Sequence, residues 1–238
     1  MKLCAHLFKS FGEKCIFSDL SLDVSGRIVA IVGPSGCGKT TLFRLMLGLE
    51  RPDNGWVNVF LPAGVVFSDL RLVEWMSVRE NIRLVSPAVS EDKLSGVLGF
   101  LELSQLSGAV AHLSSGERQR AALVRAWLFD SPWMLLDEAF RSWDIGLKQR
   151  LLPFLRDFWL REKEMVFLIT HDIGEALMVA DTVVMFSFPP VQILDIQEVA
   201  LSPEERKTMS PNHPLFMHIR QKLSGYFDPI VVMNHLER

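Results

Sequence analysis

Cysteine is scarce in this chain of 238 residues: Cys4, Cys15 and Cys37 are all it has. Their spacing fits neither a paired framework nor a metal cage. An odd count, with no secretory h-region in Met1-Lys2-Leu3-Cys4-Ala5-His6, reads as reduced thiols in a cytosol. No apolar run is long enough to span a bilayer, and the greasiest C-terminal stretch, 176–188, is broken by Asp181. An excess of positive charge is missing too. The formal net charge is -3, which argues against a general nucleic-acid binder. The six histidines are scattered without metal-ligand spacing, and there is no low-complexity segment or internal repeat. What the chain does have is apolar residues. At 49% hydrophobic it can bury a sizeable core. A mean hydropathy of +0.22 is high for a soluble chain and leaves apolar surface for a partner to cover.

The strongest local signal is Gly33-Pro34-Ser35-Gly36-Cys37-Gly38-Lys39-Thr40-Thr41, which fits the phosphate-binding pattern G-x-x-x-x-G-K-[ST] at every fixed position. It follows the apolar run 28–32 and precedes a helix-like run, 42–47. Glycines let main-chain amides turn inward around an anion, and the next helix aims its positive end at the same place. Lys39 would reach the β- and γ-phosphates, and the Thr40 hydroxyl would ligate Mg²⁺. Cys37, close to Lys39 and a helix start, is expected to lean toward its thiolate, unless it is only a small residue that fits. No N-K-x-D guanine-reading motif accompanies the loop.

Along the chain, 3–9 and 16–24 read as strands, and Ser25-Gly26 turns into the buried strand 28–32. Short strands are expected at 56–60 and 65–67, after the turn Arg51-Pro52-Asp53-Asn54-Gly55. From about 77 the pattern becomes helical. Ser77-x-x-Glu80 and Ser114-x-x-Glu117 have capping-box spacing, and the second opens a helical run over 118–129. Strands at 133–136, 165–169, 182–186 and 191–196 alternate with helices at 144–162 and 172–180. Weaker helical pieces follow at 203–209 and 215–223. Alternation implies α/β architecture, a mostly parallel sheet covered on both faces. The expected fold is a P-loop NTPase of RecA-like type with an N-terminal antiparallel β subdomain. Residues 1–73 and 130–200 form its core, 74–129 an inserted helical subdomain, and 201–238 a C-terminal helical tail.

Leu113-Ser114-Ser115-Gly116-Glu117-Arg118-Gln119-Arg120 places a hydroxyl cap and a glycine at a helix start. Such an end suits a second anion, although taken alone it also reads as an ordinary capped helix. Downstream, the apolar strand Trp133-Met134-Leu135-Leu136 ends in Asp137 and Glu138. The first suits a Mg²⁺ shell and the second a water-activating base beside a γ-phosphate. Thr170-His171-Asp172 stands at the carboxyl end of another parallel strand, where ligands bind in such sheets.

The order of these elements resembles the ATP-binding subunit of an ABC transporter, from about residue 3 to about 196. Gly33–Thr41 is similar to its Walker A loop, Leu113–Gln119 to its LSGGQ-type signature, and Leu135–Glu138 to its Walker B strand. Ser142-Trp143-Asp144 resembles the D-loop, and Thr170-His171-Asp172 the switch-histidine segment. The resemblance implies ATP and Mg²⁺ as cofactors. Phe11 would stack on adenine (the alternative is a strand-end core residue), Glu138 would be the general base, and His171 would orient the γ-phosphate and water. Ser114, Ser115, Gly116 and Glu117 would meet nucleotide bound by the other protomer of a head-to-tail homodimer, and Asp144 would lie at that interface. Permease subunits and, indirectly, a solute-binding protein are the implied partners, at the cytoplasmic face of the inner or plasma membrane.

Two positions depart from the family pattern. Ser68 stands where a glutamine usually contacts Mg²⁺ and water, and Ser115 where the first signature glycine usually stands. A glutamine placed at 68 is expected to preserve ATP turnover or raise it. Arg141 and Trp143 are unusual near the D-loop. The stretch 137–144 is close to the D-E-P-F-S-A-L-D of the nitrate, sulfonate and taurine importer branch, which also includes thiamine-precursor importers. The chain has no room for the extra C-terminal β-domain of many sugar importers. Leu70, Leu72, Val73, Trp75 and Met76 either line a permease-docking groove or fill the helical insert. Two other readings are a soluble ABC-type ATPase of translation or DNA repair, which would carry tandem cassettes or long insertions, and a regulatory subunit that hardly hydrolyses, against which Glu138 and His171 speak.

Overall fold

A computed structural model describes residues 1–227. Its centre is a six-stranded sheet built from β3 (Ile28–Val32), β5 (Ala63–Val66), β6 (Trp133–Asp137), β7 (Met165–Thr170), β8 (Thr182–Phe186) and β9 (Ile193–Glu198). The strand order is β5-β6-β7-β3-β8-β9, parallel throughout except for β9, which runs antiparallel to β8. A separate antiparallel sheet, order β2-β1-β4, joins β1 (Lys2–Phe11), β2 (Lys14–Asp23) and β4 (Asn54–Val57). This is the α/β, mostly parallel architecture with an antiparallel β portion that the sequence implied.

β3 explains why its sequence is apolar without alternation. All five residues are buried, because helices or strands cover both faces. Ile28, Ala30 and Val32 enter one core with α4 (Ser115–Leu128), α5 (Ile145–Glu162) and α6 (Ile173–Val179). Val29 and Ile31 enter a second core with β1, β2 and α1 (Lys39–Met46). Each fully buried aliphatic side chain contributes about 1.5–3 kcal/mol, so this one strand ties two layers together.

The stretch between β5 and β6 holds α2 (Val78–Arg83), α3 (Glu91–Phe100), a short 3-10 turn at Val110–His112, and α4. Both expected capping boxes form, at Ser77/Glu80 and Ser114/Glu117, and a third, at Ser202/Glu205, opens α7 (Pro203–Lys207). The final described helix is α8 (Pro214–Phe227). The expected helical tail runs to 238, so its last 11 positions, 228–238, lie outside the described residues.

Two strand expectations shift for identifiable reasons. The one placed at 56–60 ends at Val57, because the Phe60 amide bonds the Met46 carbonyl at 2.8 Å and its ring is buried against Trp133 and Phe167. The one placed at 65–67 runs Ala63–Val66, and Phe67 instead lies under the Arg71 guanidinium, 3.7 Å from the ring centre. Gly64 is required in β5 by close approach. A Cβ there would stand 2.1 Å from the Ala126 carbonyl oxygen of α4.

Candidate active site

The loop between β3 and α1 wraps the Lys39 ammonium. Nζ donates to the carbonyls of Gly33 at 2.8 Å and Pro34 at 2.9 Å, and the side chain is buried. Gly38 at the loop's end has φ 110, and a Cβ there would meet Ile16 Cγ2 at 2.5 Å. Only glycine meets both demands. A cavity of about 320 Å³ opens at this loop, lined by Ile16, Ser35, Gly36, Gly38, Lys39, Thr40, Thr41, Ser68, Asp137, Glu138 and Ile169. Main-chain amides at the start of α1 give it positive potential without further charged side chains.

β6 delivers two carboxylates of different character. Asp137 is the last strand residue, 4% exposed, and accepts from Thr40 Oγ1 at 2.9 Å. Burial lifts its carboxyl above the usual carboxylate range, with the Thr40 hydroxyl pulling the other way and Glu138 pushing with burial. A divalent cation would stabilise so buried an anion. Among the described residues no group of three or more His, Cys, Asp or Glu is placed to hold a metal ion by itself. Thr40 and Asp137 thus fit Mg²⁺, an ion commonly held by one or two protein oxygens while substrate phosphates and water complete its shell.

Glu138, the next residue, leaves the strand in the left-handed region at φ 51. For a non-glycine residue this backbone is costly and clusters at functional sites. It is held on both sides. The Glu138 amide donates to the Ile169 carbonyl at 2.9 Å, and its carbonyl accepts from Gln119 Nε2 at 2.8 Å. Its side chain meets His171 Nδ1 at 3.3 Å and Arg141 Nη1 at 3.4 Å. His171 follows β7, and Asp172, as N-cap of α6, accepts from the Gly174 and Glu175 amides. Lys148 of α5 pairs with Asp172 at 3.0 Å and with buried Glu175 at 2.6 Å, and Thr170 donates to Glu175.

A second cavity, about 510 Å³, adjoins the first and shares Ser68 and Glu138 with it. Leu70, Leu113, Ser115, Arg118, Gln119, Arg141 and Ser142 complete its lining. Ser114 caps α4, and Glu117 accepts from both the Ser114 amide at 2.8 Å and its hydroxyl at 2.7 Å. These bonds, the hydroxyl's first, hold the Glu117 carboxyl below the usual range.

Several expected site residues therefore stand apart from the Lys39 cavity. Ser114, Ser115, Gly116 and Glu117 are not in its lining, and neither is Asp144, which caps α5 by accepting from the Leu147 amide at 2.9 Å. Phe11 is not in it either. It ends β1 at 46% exposure with the Lys9 ammonium 5.0 Å over its ring, while Ile16 reaches the cavity from β2. Ile16 carried no motif signal. Gln119 lay inside the signature stretch but drew no role. Yet it is buried and ties α4 to the β6 end, bonding Glu138 and, through Oε1, the Ser142 amide at 2.7 Å. Cys37 corrects an expectation. It is fully buried beneath the loop, and burial raises its pKa despite Lys39 Nζ at 3.7 Å, so the thiol and not the thiolate is favoured.

A family model described as ABC transporter matches residues 17–141. An aliphatic sulfonates import ATP-binding protein, SsuB of Granulibacter bethesdensis, is 39% identical over 183 residues, covering 76% of this chain and 77% of the relative. A taurine import ATP-binding protein, TauB of Pseudomonas aeruginosa, is 31% identical over 250 residues, 96% of this chain and 95% of its own. Among solved structures, the dimeric bacterial ABC transporter cassette MJ0796 superposes with a TM-score of 0.73 at 22% identity, over 85% of this chain and all of that one, a likeness of fold. The chain belongs to the ABC transporter family, as one of its ATP-binding cassettes.

Proposed function

We propose that this cassette powers an importer of small sulfonates, taurine among them, by closing as a homodimer on two ATP molecules. The observation that carries the catalytic part is the place of Glu138, on the wall common to the Lys39 cavity and the cavity under α4. Each chain has two anion-facing helix ends but one nucleotide loop. A head-to-tail pair puts the α4 end of one protomer over the loop of its partner. Gly33 to Thr41 cradle the triphosphate, Lys39 meets its β- and γ-phosphates, and Phe11 stacks on the base. Ser114, Ser115 and Gly116 close from the partner, with Glu117 fixing Ser114 and Asp144 fixing the start of α5. Thr40 and Asp137 would hold Mg²⁺, which when bound would neutralise phosphate charge. Water attacks the γ-phosphorus, the bond to the ADP oxygen breaks, and the water's proton passes to Glu138, with His171 orienting the γ-phosphate.

The substrate class rests on the sulfonate and taurine import relatives, one of them similar over 96% of this chain. Permease subunits would dock near the helical insert, and a solute-binding protein would act on the far side of the membrane. No helix among the described residues is long and apolar enough to cross a membrane, in keeping with a peripheral subunit at the cytoplasmic face.

The test is a nucleotide trap. Wild type should turn over ATP, whereas Glu138→Gln should bind ATP, stop hydrolysing and run as a dimer on size exclusion only with ATP. Lys39→Ala should lose both binding and turnover. A Glu138→Gln protein that hydrolyses at the wild-type rate would overturn the catalytic assignment. Failure of taurine and other sulfonates to stimulate ATPase with the cognate permease in proteoliposomes would overturn the substrate class.

A further inference from the structure

Arg141 has no part in the functional scheme above, yet it stands at the reacting carboxylate. It follows Glu138 by three residues, and its amide donates to the Glu138 carbonyl at 3.3 Å. Its Nη1 lies 3.4 Å from Glu138 Oε2, while His171 Nδ1 lies 3.3 Å from Oε1, so each carboxylate oxygen has one flanking partner. The Glu138 main chain is already fixed by Ile169 and Gln119. What freedom remains lies in its side-chain torsions, and these are what two flanking groups limit.

The pair is ill suited to stabilising the fold. The Arg141 side chain is 72% exposed, and exposed pairs contribute about 0–1 kcal/mol. A contact that is weak in water strengthens when a site closes and excludes water. Arg141 also faces the cavity that Ser68, Ser115 and Glu138 line, the one a partner protomer would cover. A carboxylate offers roughly four lone-pair sites. Two held by Arg141 and His171 leave two to accept a proton from water.

We infer that Arg141 is a positioning residue for hydrolysis, aiming the Glu138 carboxylate from Oε2 as His171 aims it from Oε1. This rests on the reading of Glu138 as general base. Ser68, on the same cavity wall, has too short a side chain to share the task. Arg141 acts through Glu138 and does not touch nucleotide, so its removal must change turnover and not ATP affinity.

The experiment is steady-state ATPase of the full chain with Mg-ATP. Arg141→Ala should lower kcat about 3- to 10-fold, a fraction of the roughly 10²–10⁴ that a general base supplies, with KM and thermal midpoint unchanged. Arg141→Lys should restore much of kcat, because it keeps a cation in reach. In a Glu138→Gln background, adding Arg141→Ala should leave ATP-dependent dimerisation unchanged, since the carboxylate it aims is gone. An unchanged kcat in Arg141→Ala overturns the inference, as does a raised KM at constant kcat, which would make Arg141 a nucleotide contact. A loss that Arg141→Lys fails to relieve does so too. A wild type without ATPase activity, by contrast, would refute the catalytic reading itself and not the role of Arg141 alone.

Discussion

Cys37 sits 3.7 Å from an ammonium group and at a helix start, two features that ordinarily favour a thiolate. Its Sγ nevertheless lies in the second core, among Val29, Ile31 and Phe186, and burial prevails over the charge. Cys4 is buried likewise, its thiol pushed up to about 11. Cys15 alone of the three is half-buried. Maleimide labelling of the native chain at neutral pH should therefore modify Cys15 first and Cys37 slowly, while denaturant exposes all three. Mass spectrometry of time points checks this, and fast native labelling of Cys37 would contradict the burial argument. The loop's motif was fully legible, since its fixed positions lie next to one another along the chain. The burial of Cys37 was not, because the core that takes it in is assembled from distant segments, Phe17 of β2 and Phe186 of β8 among them.

At the scale of elements, Lys148 connects α5 to the segment that carries His171. Burial works against its ammonium, but Glu175 and Asp172 outweigh that and raise its pKa above the usual lysine value. A lysine stabilised in this way contributes fully below the unfolded value near 10.4 and loses the contribution as pH rises through the folded one. Lys148→Met should leave Glu175, 2% exposed, without its cation, at a cost of about 3 kcal/mol. Urea unfolding at pH 7 measures the loss. The difference between wild type and variant should shrink above about pH 10, and a difference that grows there would refute the sign. Element type and order were readable from periodicity and capping boxes, because those are local. Where β4 and β5 end was not, since Phe60 and Phe67 follow tertiary partners.

At the scale of the molecule, the apolar residues after β5 divide between two uses. Leu70 and Leu72 pack against the larger core. Trp75 is 79% exposed, a large apolar side chain turned outward beside the helical insert. As an aromatic anchor for a permease, its replacement should weaken complex formation about tenfold. Trp75→Ala should thus co-purify poorly with the permease and support little uptake, while the free cassette keeps its ATPase. Unimpaired uptake would place the docking surface elsewhere.

Sequence alone determined the phosphate loop, the carboxylate pair, the signature helix start and the α/β alternation, since each is written in residues adjacent along the chain. Tertiary structure alone decided that Glu138 takes a left-handed backbone between Ile169 and Gln119, that Ile16 reaches the Lys39 cavity from β2, and that His171 meets the carboxylate oxygen opposite the one Arg141 meets. Those outcomes depend on packing between segments distant along the chain: parallel pairing of β6 with β7 brings Ile169 to Glu138, α4 brings Gln119, and the other sheet brings Ile16, and no local pattern records such separations.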